Sequence, residues 1–270
     1  MNHLLRELAP LTPEAWALVE EEAKRTLKLR LAARKIVDFA GPLGWQASSV
    51  PLGRVERANP EPAPRAEAWV RRVQPFVEVR VPFELARAEL EAVARGAADP
   101  DLDPVREAAI AAALAEDRAV FHGYGAAGIR GLMESGAGGG LSLTSDYPAY
   151  PGVVANAIHR LHTAGIGGPY AIALGPRCYT GLTQTTVGGF PVIEHVRRLL
   201  DGPIVWAPAI DGAAVVSTRG GDFELTVGGD FSIAYLEHSA SVVRLCLQES
   251  FTFRVLTQEA AVPLSYSRTG

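Results

Sequence analysis

Residues 46–72 constrain this chain more than any other stretch. They carry Pro51, Pro60, Pro62 and Pro64 and few large apolar side chains. Such a segment cannot build a core of its own, and structureless loops of this length are uncommon inside compact domains. Unless disordered, it is an extended hairpin, and a lone two-stranded hairpin is marginal in water. The sequence therefore predicts an arm that becomes ordered by lying on a neighbouring subunit.

The flanking segments read as ordinary folded protein. The 270 residues suffice for one large domain or two small ones, and 48% of them are hydrophobic. Thr12-Pro13 is a helix start, with a hydroxyl cap before a residue that needs no N–H. Trp16, Val19, Ala23, Leu27 and Leu31 recur at helical spacing, so a helix is expected from Glu14 to about Lys35. Its polar face runs from acidic (Glu20, Glu21, Glu22) to basic (Arg30, Arg34, Lys35), which suits the helix dipole. After the Gly41-Pro42-Leu43-Gly44 break and the arm, residues 76–81 approximate strand alternation. Asp103-Pro104 should cap an alanine- and leucine-rich helix over 104–121. The run 135–140, SGAGGG, predicts a flexible break and a domain boundary.

The middle third reads as α/β. Helices are expected over 153–164 and 191–200, with short strands over 170–174, 204–207 and 214–217. The last third is β. Strands 223–227 and 231–235 flank the Gly228-Gly229-Asp230 turn. The clearest pattern follows. Val243, Leu245, Leu247, Phe251, Phe253 and Val255 share one face, while Arg244, Cys246, Gln248, Ser250, Thr252 and Arg254 share the other. Period two over a dozen residues predicts a long antiparallel strand with one covered face.

Charge and motifs narrow the function. A net charge of −4 argues against a nucleic-acid partner. Two cysteines, Cys178 and Cys246, fit neither a zinc motif nor a disulfide framework. The first residues interrupt any signal-like apolar run with charges and Pro10, and no stretch suits a bilayer, so a cytoplasmic protein with no membrane partner is expected. Gly123 to Gly128 spells G-x-G-x-x-G, but it follows a helix, where a dinucleotide loop would follow a strand; it reads as a glycine-rich helix exit. His159, His162 and His195 read as surface or packing residues. No carboxylate pair, nucleophile elbow or cysteine–histidine neighbour forms a catalytic constellation, and no metal or cofactor is expected. The inventory of arm, long helix and long strand makes sense in contact with other copies.

The sequence also resembles a known family along almost its whole length. The matching blocks include RELAPLTPEAW (6–16), RKIVDFAGPLGW (34–45), PLGRVE (51–56), EDRAVFHGY (116–124), WAPAIDGAAVVSTRGGDF (206–223) and VRLCLQESFTF (243–253). In order and spacing these are similar to the encapsulin shell proteins. The resemblance implies the α+β fold of tailed-bacteriophage major capsid proteins, with a P-domain, an A-domain and an extended E-loop. It assigns 1–45 to an N-terminal arm and lumenal helix, 46–75 to the E-loop and 76–135 to the P-domain with its spine helix. It assigns 136–222 to the A-domain and 223–270 to C-terminal P-domain strands. The implied function is structural. Copies assemble into a hollow icosahedral shell that encloses a cargo enzyme, such as a dye-decolourising peroxidase or a ferritin-like protein, through a C-terminal targeting peptide.

By the same resemblance, Leu27, Leu31, Arg34, Asp38, Phe231, Ile233 and Tyr235 would form the cargo-peptide groove. The apolar members would take leucine or isoleucine side chains, and Arg34 and Asp38 the peptide's polar groups. Thr185, Thr186, Val187, Gly188 and Gly189 would line an uncharged, mobile pore rim. Some members carry a flavin on an aromatic after the E-loop; here residues 83–90 read FELARAEL, with Ala88 and no tryptophan, so none is expected. A phage or prophage capsid protein is the alternative reading, and a peptidase a lesser one.

Overall fold

Capping sets the first long element. The Thr12 hydroxyl accepts a hydrogen bond from the Ala15 N–H at 3.3 Å, ahead of the proline at the helix start. The computed structural model describes residues 3–134 and 139–266. In chain order its elements are α1 (Pro13–Arg30), β1 (Asp38–Ala40), β2 (Ser49–Arg57), β3 (Trp69–Pro75), β4 (Val77–Ala86), α2 (Arg87–Ala94) and α3 (Asp103–His122). Then come β5 (Leu141–Leu143), α4 (Tyr150–Thr163), β6 (Tyr170–Leu174), α5 (Pro176–Gln184), β7 (Thr186–Val187), β8 (Phe190–Pro191) and α6 (Val192–Arg197). The chain closes with β9 (Ile204–Trp206), β10 (Ala213–Ser217), β11 (Phe223–Val227), β12 (Ser232–His238), β13 (Val242–Val255) and β14 (Ala261–Tyr266).

Two five-stranded sheets organise these elements. In the first, β13 is the axis. All of β4 lies antiparallel along one edge, from Val242↔Ala86 to Phe251↔Val77. The other edge is shared by β12, near Leu245 and Leu247, and β11, from Phe251 to Val255; β1 then pairs parallel with β11. The second sheet has the order β5-β14-β10-β6-β9, and β6 and β10 are buried at every position. Two apolar cores result. One gathers Val19, Leu27, Leu85, Val105, Ala109 and Leu245; the other gathers Phe121, Leu161, Ile172, Val215, Phe251 and Phe253. Helix α3 and strand β13 contribute to both, so they tie the cores into one body.

Four expectations change. Helix α1 stops at Arg30 and not near Lys35, because the chain turns there: the backbone N–H groups of Ala32 and Ala33 donate to the Asp117 carboxylate of α3 at 2.9 and 3.0 Å. Asp103 does not cap α3; it is the first helical residue, and its N–H donates to the Asp101 carboxylate. Strand β13 is covered on both faces from Leu245 to Phe253. On its polar side Ser250 sits beside the Gly228–Gly229 turn, against the Phe76 and Trp45 rings, and its hydroxyl accepts from the Gly229 N–H at 2.9 Å. The chain end also departs from the sequence reading. Strand β14 is almost wholly buried and pairs with β5 and β10, so it belongs to the second sheet and not with β11–β13. Most of the predicted 135–140 break lies outside the described residues.

The predicted arm is an antiparallel ribbon of β2 and β3, registered from Ser49↔Pro75 to Arg57↔Trp69, with an irregularity between Pro51 and Val55. Among the described residues it pairs with no other strand. Trp69 and Val70 are 54% and 58% exposed, and Val55 and Val73 are exposed as well. The G-x-G-x-x-G stretch is the exit of α3. Gly123 has φ +78°, and a Cβ there would lie 2.7 Å from the Ile129 carbonyl oxygen, so the chain folds back at that glycine.

Burial dominates at Asp117. Despite the two N–H donors, it pushes the carboxyl up to about 7. Replacing this side chain leaves two buried N–H groups without acceptors. Asp117→Ala should cost about 2–4 kcal/mol of stability on that ground, read as a lower denaturant midpoint with little change in slope.

Candidate functional site

The turn after α1 delivers one cation into a set of carboxylates. Arg34 Nε donates to the Glu116 carboxylate of α3 at 2.9 and 3.0 Å, and Nη2 donates to it at 2.5 Å. Nη2 also reaches Glu249 Oε2 on β13 at 3.1 Å, and Nη1 reaches Asp230 Oδ1 at 2.9 Å. The Glu116 and Glu249 side chains have no exposed surface, and that of Arg34 keeps 17%. The guanidinium also lies 4.8 Å from the centre of the Phe231 ring and 5.1 Å from that of Phe39. Burial works against the Arg34 charge, but the surrounding carboxylates outweigh it and hold the pKa above the ordinary arginine value. Glu249 goes the other way: burial lifts its carboxyl well above the usual range, the neighbouring Glu116 charge adds to this, and Arg34 opposes it.

Beside this cluster opens a groove of about 580 Å³ between α1 and β12. Five of the seven residues assigned to a peptide groove meet there: Leu27, Leu31, Arg34, Phe231 and Ile233. Leu27, Leu31 and Ile233 are core members that reach its wall, while Phe231 is half-buried. Lys24, Lys28, Arg6, Glu20 and Asp230 also line it. Tyr235 lies outside the groove, further along β12; its hydroxyl bonds His238 Nδ1 at 2.6 Å and its N–H donates to the Leu4 carbonyl. Asp38 is elsewhere. It stands on β1 and accepts the Gly221 N–H at 2.6 Å, holding the turn between β10 and β11. Arg34 spends its donors inside the protein, which limits what it can offer a peptide.

Sequence reading missed Glu116 and Glu249. The signal was present. Glu249 falls on the same face of β13 as Leu247 and Phe251, and a carboxylate at a covered apolar position requires a cationic partner.

The segment assigned to a pore rim is a paired hairpin. Thr185 ends α5, and β7 and β8 pair Thr186↔Pro191 and Val187↔Phe190 around Gly188 and Gly189, whose φ values are +60° and +83°. His195 Nε2 lies 3.1 Å from the Val187 carbonyl oxygen. Thr186 through Phe190 are exposed. His162 packs edge-on to Tyr170. Among the described residues, no three or more His, Cys, Asp or Glu side chains are grouped to hold a metal ion, and no helix is long and apolar enough to cross a membrane.

Solved structures share this architecture. The virus-like particle protein of Pyrococcus furiosus aligns with a TM-score of 0.66 at 16% identity, over 92% of this chain and 98% of its own. The capsid of an empty GTA particle aligns with a TM-score of 0.53 at 14% identity, over 87% and 89%. Two sheets joined by a long helix and a long strand, with a projecting ribbon, thus define a capsid-type fold of the tailed-phage class. Within that class, the model for the family described as "Encapsulating protein for peroxidase" matches residues 1–252. The type 1 encapsulin shell protein of Rhodospirillum rubrum is 57% identical over 270 residues, covering 98% of this chain and 96% of the relative. That of Rhodococcus erythropolis is 48% identical over 265 residues, covering 98% and 100%. The chain belongs to the encapsulin shell family, and its role is structural and not enzymatic.

The raised carboxyls make stability depend on pH. A group whose pKa is higher folded than unfolded stabilises the fold below its ordinary range and loses that contribution as pH rises through the folded value. Glu249 and Asp117 both act in this direction. Glu249→Gln mimics the protonated side chain, so its melting temperature should match the parent below the ordinary glutamate range, about pH 4, and exceed it increasingly as pH rises above that range. Melting curves from that range upward provide the check, and a gap that closes with rising pH would contradict the assignment.

Proposed function

We propose that this chain is the repeating subunit of a closed, hollow icosahedral shell, and that it retains a cargo enzyme whose C-terminal peptide seats in the groove between α1 and β12. The single observation that carries the shell reading is the β2–β3 ribbon. Among the described residues it makes a two-stranded sheet alone, with Val55, Trp69, Val70 and Val73 exposed. Covering those side chains with another copy gains roughly 25 cal/mol per Å² of apolar surface, and closed symmetry repeats the contact around the particle. The family description, which names a peroxidase, supports a peroxidase as cargo. The 57% identity to a shell protein favours this reading over a phage capsid protein, since the likeness to the GTA capsid rests on fold alone.

The groove suits an extended peptide with apolar side chains, which Leu27, Phe231 and Ile233 would receive while backbone groups face the charged rim. The exposed β7–β8 hairpin is the segment we assign to the pore rim, with Thr185 at its base and Phe190 beside Val187. A cytoplasmic setting agrees with Cys178 and Cys246, which are buried as free thiols.

Deletion of residues 48–72 should leave a folded subunit that no longer forms closed particles in electron micrographs; intact shells from that variant would refute the ribbon's role. For the groove, a reporter fused to the C-terminal residues of the enzyme encoded beside this gene is the probe. Phe231→Ala and Leu27→Ala should each lower its retention about ten-fold, as expected for losing part of a buried apolar contact of about 1.5–3 kcal/mol. Unchanged loading in shells of normal size would place the peptide elsewhere.

A further inference from the structure

Three arginines from separate parts of the chain line one cavity of about 330 Å³. Arg54 comes from β2, Arg130 from the segment after α3, and Arg254 from the end of β13. Among the described residues no carboxylate lines this space; its other walls include Gln74, Phe253 and Leu256. Among the described residues only Arg254 of the three has an acidic partner, its Nη2 donating to Glu224 at 2.5 Å. The Nε of Arg254 is shut off from solvent and has no acceptor.

Nearby on the ribbon, Arg57 pairs with Glu61 and Glu67, and Arg72 pairs with Glu56. An arginine carries five donors and no acceptor, and cannot shed its charge. Arginines lining one cavity repel each other, and least compensated are Arg54 and Arg130, which have no acidic partner among the described residues. An oxyanion relieves that repulsion, because it accepts from several guanidiniums at once in the forked geometry they favour.

We propose that the cavity between the base of the ribbon and the end of β13 is an oxyanion-binding site, with the exposed Arg54 and Arg130 as its donors. Its ligand is a phosphate-like or carboxylate group. That group comes either from solution as free phosphate or from an acidic side chain of another copy of the chain. This site is separate from the groove between α1 and β12 and does not depend on the reading of that groove.

The test compares purified protein with the Arg54→Gln/Arg130→Gln double variant. Both arginines are exposed and make no ion pair among the described residues, so the fold should survive, as circular dichroism would confirm; Arg54→Gln alone is the fallback. Melting is followed while inorganic phosphate replaces chloride at constant ionic strength. The expected result is that millimolar phosphate raises the melting temperature of the parent by roughly 2–4 °C and leaves the variant unmoved. If phosphate has no effect but the variant's assembled fraction drops at least about ten-fold, about 1.4 kcal/mol, the oxyanion is a carboxylate of another copy and the site stands. Equal phosphate shifts in both proteins, or no change in either melting or assembly, would overturn the proposal.

Discussion

The guanidinium of Arg34 is the interaction on which the rest of this structure depends. It faces two carboxylates with no exposed surface, Glu116 and Glu249, and a third at the surface, Asp230. These groups come from the turn after α1, from α3, from β13 and from the approach to β12. Removing charges from water is costly, and deleting one member of such a cluster leaves the others uncompensated. The cluster therefore fixes where α1 must end and how α3 meets the long strand. Asp117 reinforces the same junction from the adjacent position, by holding the N–H groups of Ala32 and Ala33. Arg34 also lines the groove between α1 and β12, and the Phe231 ring on its wall rests near the same cation.

A body held in this way can support a long appendage. Helix α3 and strand β13 pass through both apolar cores, so the two sheets form one packed unit. Among the described residues, the β2–β3 ribbon gives no side chain to either core. Its backbone groups pair internally, yet its large apolar side chains meet solvent. An isolated ribbon of this kind gains too little to be ordered alone. Rigid body and unsatisfied ribbon are complementary, since one copy can offer the surface that another copy's ribbon needs. This complementarity, and not any arrangement of reactive groups, organises the molecule.

Much of this was legible in the sequence. Prolines and a shortage of large apolar residues marked the ribbon, alternation marked β13, and the hydroxyl–proline pair placed the start of α1 where Thr12 accepts the Ala15 N–H. Strands Tyr170–Leu174 and Phe223–Val227 were legible to the residue, because each is short and bounded by turn chemistry. The misreadings share a cause. The end of α1 is decided by a carboxylate 85 residues away in sequence, which local periodicity cannot see. At Ser250, on the second covered face of β13, the neighbours are Trp45, Phe76 and the Gly228–Gly229 turn, all distant from it in sequence. Strand β14 crosses to the other sheet through pairings with β5 and β10, which no pattern within its six residues announces. Of the apolar residues that the family resemblance assigned to a peptide groove, Leu27, Leu31, Phe231 and Ile233 line the space between α1 and β12. The part of Arg34 was not legible, because its partners on α3 and β13 become visible only once the chain is folded.

The central claim is that the ribbon is satisfied only by another copy, so that the isolated subunit is not the stable form of this protein. Measuring the mass of the purified, diluted protein by light scattering, with hydrogen exchange followed on residues 49–75 in the same sample, tests it most directly. The account predicts large particles of uniform mass and slow exchange along β2 and β3. A compact monomer whose ribbon amides are protected at every dilution would contradict it.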